Sequence, residues 1–249
     1  MGGAGLTHET LRAAERRRRA ASRNNWPPGS LLAELPDAAR NRLFGIGAMR
    51  AYANPGQVLI REGDSTTSVY LLLSGVVKVT GLTEGGEALL AIRMGGDLVG
   101  ELSALDGRKR LATVTTASSV GVRVIGRTEF NGFLGRNSDI ALAVTSGIAD
   151  KLRSATARRI DFTSCAVGTR FARVLLELVE RYGEPVGTSR IIRCPLTQTE
   201  LAALVGAAEP SVHRVLRQLR SSAIVATGYR QITVLDTTAL RRLAFPDQI

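Results

Sequence analysis

The chain has 249 residues, 44% of them hydrophobic, enough for two ordinary domains that each bury a core. Its net charge of +11 favours an anionic partner, and no apolar run reaches the ~20 residues of a membrane span. Two cysteines (Cys165, Cys194) and two histidines (His8, His213) offer no cluster, zinc-site or catalytic spacing, so neither an enzyme nor a metal or cofactor site is expected.

In chain order, residues 1–27 read as a basic tail without regular structure. They hold six Arg against Glu9 and Glu15, including the run Arg16-Arg17-Arg18-Arg19, and end at Pro27-Pro28-Gly29. No apolar stretch follows that polar start, so the expectation is a cytoplasmic protein with no membrane partner. Residues 31–48 read as one helix, with Leu31, Leu32, Leu35, Leu43, Phe44 and Ile46 at apolar positions, followed by the turn Asn54-Pro55-Gly56. Strands are expected at 58–60, 68–73, 76–80, 88–93, 112–116 and 120–125, separated by glycine turns. Many short strands with such punctuation argue a jelly roll or barrel.

Residues 127–135 read as a short helix and 137–163 as a long one. Ala141, Ile148, Ala155 and Phe162 fall seven apart, beside a second row of Thr145, Leu152, Arg159 and Ala166. This is an imperfect heptad seam, and a second copy of the chain is the partner it suggests. A further helix at 168–183 carries Phe171, Val174, Leu175 and Leu178 on one face.

Leu196 to Leu219 reads as two helices joined at Gly206. Thr197 and Glu200 form a T-x-x-E capping box for the first, and Pro210 falls in the first turn of the second. Val212, Val215, Leu216 and Leu219 take the inner face, leaving Ser211, His213, Arg214, Arg217 and Arg220 outward. A short helix held by its partner, cationic on the outside, has the shape that enters a DNA major groove. Residues 224–234 read as a β-hairpin turning near Gly228, the wing of a winged helix-turn-helix, with Arg230 near its tip within reach of phosphate. Residues 167–249 hold eleven Arg against seven acids, so both ends of the chain are basic.

A β-roll, a long helix and a winged helix-turn-helix in this order resemble the CRP/FNR superfamily of bacterial transcription regulators, over about residues 31–236. The stretch Gly100-Glu101-Leu102-Ser103-Ala104-Leu105 with Arg110-Leu111-Ala112-Thr113-Val114 is similar to the phosphate-binding cassette of cyclic-nucleotide-binding domains. The resemblance implies an α+β fold with four parts: the tail (1–27), a jelly-roll domain (28–136), a dimerisation helix (137–166) and a winged helix-turn-helix domain (167–249). It implies a DNA-binding regulator controlled by cAMP or cGMP as effector, with double-stranded DNA, a second copy and RNA polymerase as partners. Arg110 would bond the cyclic phosphate and Glu101 the ribose 2′-hydroxyl. Backbone N–H groups around Leu102, Ser103 and Leu111 would complete the cradle, with Gly100 allowing close approach.

The chain departs from the family at several positions. Leu111 stands where a small Ser or Ala usually follows the arginine, and Ala155-Thr156 where cAMP sensors carry Thr-Ser, leaving Thr156 as the ligand contact. Glu209-Pro210 replaces the Arg-Glu pair that reads G·C. Arg214 keeps the family's third DNA-contacting position. Ser211 and His213 are expected at bases or phosphates, and Thr197, Gln198 and Arg217 at phosphates. These departures leave two other readings open. One is an effector-independent regulator on the same scaffold. The other is a nucleotide-sensing adaptor that contacts protein or RNA.

Overall fold

The structure, a computed structural model, describes residues 26–246; the arginine-rich tail reading falls almost wholly outside them. The chain starts with α1 (Leu31–Glu34) and α2 (Asp37–Phe44). The single helix expected over 31–48 is broken because Leu35 is extended ahead of Pro36, whose ring disfavours the helical region for the residue before it. Beyond α2 the chain does not stay helical to residue 48. Gly47 has φ +70° and a Cβ there would lie 2.6 Å from Val124 O, so only glycine lets the chain turn into β1 (Ala48–Tyr52).

Seven more strands complete the roll: β2 (Val58–Ile60), β3 (Val69–Ser74), β4 (Val76–Thr83), β5 (Gly86–Met94), β6 (Leu98–Val99), β7 (Thr113–Thr116) and β8 (Val120–Ile125). They form two antiparallel four-stranded sheets, β1-β8-β3-β6 and β2-β7-β4-β5. All six strands expected from the glycine punctuation are present. Leu59, Ile60, Leu72, Val77, Val114, Val120 and Val122 pack as one buried cluster in the roll. Between β6 and β7 a short helix, α3 (Glu101–Asp106), stands within the stretch read only as a motif, bounded by left-handed glycines at 100 and 107.

α4 (Arg127–Arg136) leads into the long α5 (Ser138–Ser164). Ile140 and Val144 are buried, and with Ile148 they pack at four-residue spacing against Leu32, Leu35, Leu43, Phe130 and Phe133. This shifts the expected seam. Ile148 faces its own roll. The outward line is instead Leu142, Thr145, Leu152, Thr156, Arg159 and Thr163, with Leu142 70% and Leu152 67% exposed. The row containing Thr145, Leu152 and Arg159 keeps its place; of the companion row, Ile148 turns to the roll while Ala155 and Phe162 stay exposed.

The C-terminal domain comprises α6 (Val167–Tyr182), β9 (Glu184–Val186), β10 (Ser189–Ile192), α7 (Gln198–Val205), α8 (Glu209–Ser221), β11 (Val225–Gly228), β12 (Gln231–Val234) and α9 (Thr237–Ala244). Its sheet runs β11-β12-β10-β9. β9 escapes a sequence reading because Pro185 lies inside it, and a proline fits only an edge strand such as this one. α9 is capped by Asp236, whose side chain accepts from Ala239 N, and it buries Leu240 and Ala244. Val76, Leu89 and Ile92 of the roll share one buried cluster with Phe171, Leu175, Leu201 and Val205, so the two domains meet through an apolar interface. No helix among the described residues is long and apolar enough to cross a membrane.

Candidate functional site

Arg110 is 4% exposed, held by three bonds to the roll. Its Nη1 donates to Gly100 O at 2.8 Å, Nη2 to Ser68 O at 2.6 Å and Nε to Thr66 Oγ1 at 3.0 Å. A guanidinium has five N–H donors, so two remain beyond these bonds. No carboxylate among the described residues lies within ion-pair distance of it. Burial pulls its pKa below the ordinary arginine value, opposed by Tyr70, Asp64 and Glu101, and the group stays charged. Gly100 makes this packing possible. At φ +81°, a Cβ would sit 2.6 Å from Arg110 Nη1 and 2.8 Å from Ile60 Cδ1.

Glu101, also 4% exposed, opens α3 beside that glycine. Its partner is not Arg110 across the loop but Lys151 of α5, with Nζ 2.9 Å from Oε1 and 2.7 Å from Leu98 O. Sequence reasoning missed Lys151. The one signal was that it is among only three lysines in a chain otherwise using arginine. A cavity of about 30 Å³ lies among Leu98, Glu101, Val144, Gly147 and Lys151. Ser103 is buried, whereas Leu102 is 39% and Leu111 74% exposed, so the bulk of Leu111 lies outside the buried cluster. Gly100, Glu101, Ser103 and Arg110 are thus brought together. Thr156 is exposed on the outer line of α5, away from its own roll.

The helix-turn-helix forms as its local chemistry dictates. Thr197 Oγ1 accepts from Glu200 N at 3.1 Å and Glu200 Oε2 from Thr197 N at 2.8 Å, so both halves of the capping box are made. Gly206 closes α7 in the left-handed region at φ +65°. Thr199 Oγ1 donates to Glu209 Oε2 at 2.8 Å, joining the start of α7 to the start of α8. Pro210 lies in the first turn of α8, where no intrahelical N–H is needed. Val212, Leu216 and Leu219 are buried. Thr197, Gln198, His213, Arg214 and Arg217 are exposed and Ser211 is half-buried. Arg217 Nη2 lies 3.3 Å from His213 Nδ1, so those two side chains share one patch. Tyr229 at the wing tip is 86% exposed, with the Arg230 guanidinium 5.3 Å from its ring centroid.

The turn of the motif is tied to the end of α5. Arg170 donates to Val205 O at 3.0 Å and Gly206 O at 2.8 Å on one side, and to Phe162 O and Cys165 O on the other. Its guanidinium lies 5.2 Å from the Phe162 ring centroid.

A roll carrying a buried arginine at a glycine-helix turn, joined by one long helix to a capped helix-turn-helix, has close counterparts among known proteins. The cyclic nucleotide-binding domain family matches residues 50–137, and the Crp-like helix-turn-helix domain family matches residues 169–243. The chain belongs to the CRP/FNR superfamily of transcription regulators. Within the superfamily it is 28% identical over 190 residues to the CRP-like cAMP-activated global transcriptional regulator of Mycobacterium tuberculosis, covering 76% of this chain and 85% of the relative. Its fold matches FixK2 from Bradyrhizobium japonicum, with a TM-score of 0.68 at 21% identity over 80% of this chain and 97% of that one. It also matches the c-di-GMP responsive global regulator CLP of Xanthomonas campestris, with a TM-score of 0.65 at 20% identity over 81% and 100%.

Proposed function

We propose that this chain is a homodimeric, DNA-binding transcription regulator whose activity is set by a cyclic nucleotide, cAMP or cGMP, bound in the roll. The observation that carries the effector reading is Arg110. It is a buried cation with spare donors and no carboxylate within ion-pair distance among the described residues, beside the left-handed Gly100. A buried charge of this kind is costly unless an anion offsets it, and a cyclic phosphate accepts such a fork. In this reading Arg110 bonds the phosphate and Glu101 the ribose hydroxyl, with the backbone at Leu102, Ser103 and Leu111 and the cradle turn at Gly100 around it. Thr156, on the outward line of α5, reaches the ligand of a partner subunit.

Dimerisation through the line containing Leu142, Leu152 and Thr156 gives two recognition helices for two half-sites. Arg214 reads a base edge; Ser211 and His213 contact bases or phosphates. Thr197, Gln198 and Arg217 hold phosphate oxygens, the first two from the N-terminal end of α7. RNA polymerase is the protein partner such a regulator meets at a promoter. Effector binding shifts the balance between two arrangements of the seam according to its different affinity for each.

A second reading has its own observation: Lys151 already neutralises Glu101, which favours a regulator that works without a nucleotide. Calorimetric titration with cAMP, cGMP and, because one structural counterpart is c-di-GMP responsive, c-di-GMP separates the two. Saturable heat with cAMP or cGMP that disappears in Arg110→Ala supports the effector reading. Heat with c-di-GMP alone changes the ligand. No heat from a folded dimer that binds operator DNA supports the second reading.

A further inference from the structure

The C-terminal domain is carried on the outer face of β4 and β5. Deep in the shared apolar cluster, Tyr182 Oη donates its one proton to Asp97 Oδ2 at 3.0 Å and lies 3.2 Å from Ile92 O. At the rim, Lys78 Nζ of β4 meets Glu200 Oε1 of α7 at 2.5 Å, with side chains only 19% and 25% exposed. The other oxygen of the same carboxylate closes the α7 capping box on Thr197 N. Glu200 therefore does two jobs at once: it caps the start of the helix that supports the recognition helix, and it receives an ammonium from the roll. The outward side chains of α8 stay open in this arrangement, with His213, Arg214 and Arg217 exposed.

We propose that Lys78 is a positioning residue for DNA recognition, fixing through Glu200 the angle at which α7 and α8 are carried on the roll. The proposal rests on the DNA-binding reading above. Its physical basis is direction. Apolar burial is non-directional, and the Tyr182 bond to Asp97 fixes a single point about which two surfaces can still turn; a short ion pair anchored on a helix cap at the rim fixes a second. In a dimer each recognition helix meets a half-site about 34 Å from the other. A change of angle at each roll mis-sets that separation while leaving the contacts of either helix with its own half-site intact. Lysine and arginine both carry a positive charge that can donate to Glu200 Oε1, so Lys78→Arg preserves the device, while Lys78→Met removes it. Glu200→Gln keeps an oxygen for Thr197 N, so the cap survives and only the ion pair is lost.

The test uses the full-length protein and duplexes recovered by in vitro selection with the wild type. One probe carries both half-sites and one a single half-site, each titrated by fluorescence anisotropy over a salt series. Lys78→Met, Glu200→Gln and the double variant are each expected to weaken two-site binding by a similar factor of about 5–20, in the ordinary range of coupling between sites. Single half-site affinity and the salt slope stay at wild-type values, and Lys78→Arg restores most of the loss. Unchanged two-site affinity overturns the proposal. So does an equal loss on both probes with a salt slope smaller by about 1, which makes Lys78 a phosphate contact. An equal loss on both probes with unchanged slope and a lower melting temperature also overturns it, since Lys78 then only stabilises the domain. If selection with the wild type recovers no sequence, the DNA-binding reading fails first, and the proposal with it.

Discussion

Lys151 Nζ lies 2.9 Å from Glu101 Oε1, so the long helix is fastened to the first residue of the cassette helix by an ion pair whose carboxylate side chain is only 6% exposed. The two residues are 50 apart in the chain. Because the ammonium also donates to Leu98 O, any movement of α5 against the roll at this point breaks two bonds at once.

Replacing Lys151 by Met leaves that carboxylate buried without its counter-ion. Removing one partner of a buried pair costs about 3 kcal/mol or more. Urea unfolding of Lys151→Met is expected to report a loss of that size. The double variant Lys151→Met with Glu101→Gln recovers part of it, since no unpaired charge remains.

Gly100→Ala meets two penalties together. A left-handed conformation costs a non-glycine residue about 1–2 kcal/mol, and the new Cβ falls 2.6 Å from Arg110 Nη1 and 3.0 Å from Ser68 O. With about 1–3 kcal/mol for overpacking, the expected destabilisation is about 2–5 kcal/mol. The guanidinium must shift, so any heat of nucleotide binding falls along with the melting temperature. Gly56→Ala, at a similar φ of +84° but with nothing near its Cβ, pays the backbone penalty alone and is the control.

Arg214 is exposed on the outer face of α8, where a guanidinium can reach the O6 and N7 of a guanine. Arg214→Ala is expected to cost about 1–3 kcal/mol in binding to the selected operator and to relax the preference at one base pair. Selection repeated with the variant reads both effects. An unchanged sequence preference removes Arg214 from the base-reading set.

Cys194 is 2% exposed, and burial pushes its thiol up to about 12 from an ordinary value of 9.0, with nearby Glu200 adding and Lys78 opposing. The folded state therefore keeps a proton that the unfolded chain releases. The stabilisation is full below about pH 9 and is lost as pH rises towards about 12, with a slope of up to about 1.4 kcal/mol per pH unit. Denaturation between pH 8 and 10.5 is expected to slope less steeply for Cys194→Ala than for the wild type. Alkylation of the native protein should modify the half-buried Cys165 and spare Cys194.

Much of the local structure was legible. Strands at 58–60 and 120–125 and helices at 127–135 and 168–183 follow from glycine punctuation and apolar period, and each is present within a residue or two. The helix-turn-helix was the clearest, because a capping box, a left-handed glycine and a first-turn proline each act over three or four residues. Where the reading failed, a distant contact had decided the matter. The expected helix over 31–48 ignored Pro36, a local signal, but β1 exists only because β8 pairs with it, from Ala48 opposite Val124 to Tyr52 opposite Val120. Four of its five residues are exposed, so no alternation marks it.

The seam of α5 shows the same division. Its heptad spacing was visible, and both candidate rows contained it, yet only packing of Ile140, Val144 and Ile148 on the roll determines which face is left outward. The order of the domains, the cassette, the cap of α7 and the residues offered by α8 could all be read from the chain, since each is written in neighbours a few positions apart. The pairings that tie the parts together emerge only from the packed fold: Lys151 with Glu101, and Lys78 with Glu200, 122 positions away. A charge on a helix or strand face has no partner encoded beside it. It acquires one only when apolar burial, which is non-directional, brings two surfaces together and the geometry of the docked faces selects which ions meet.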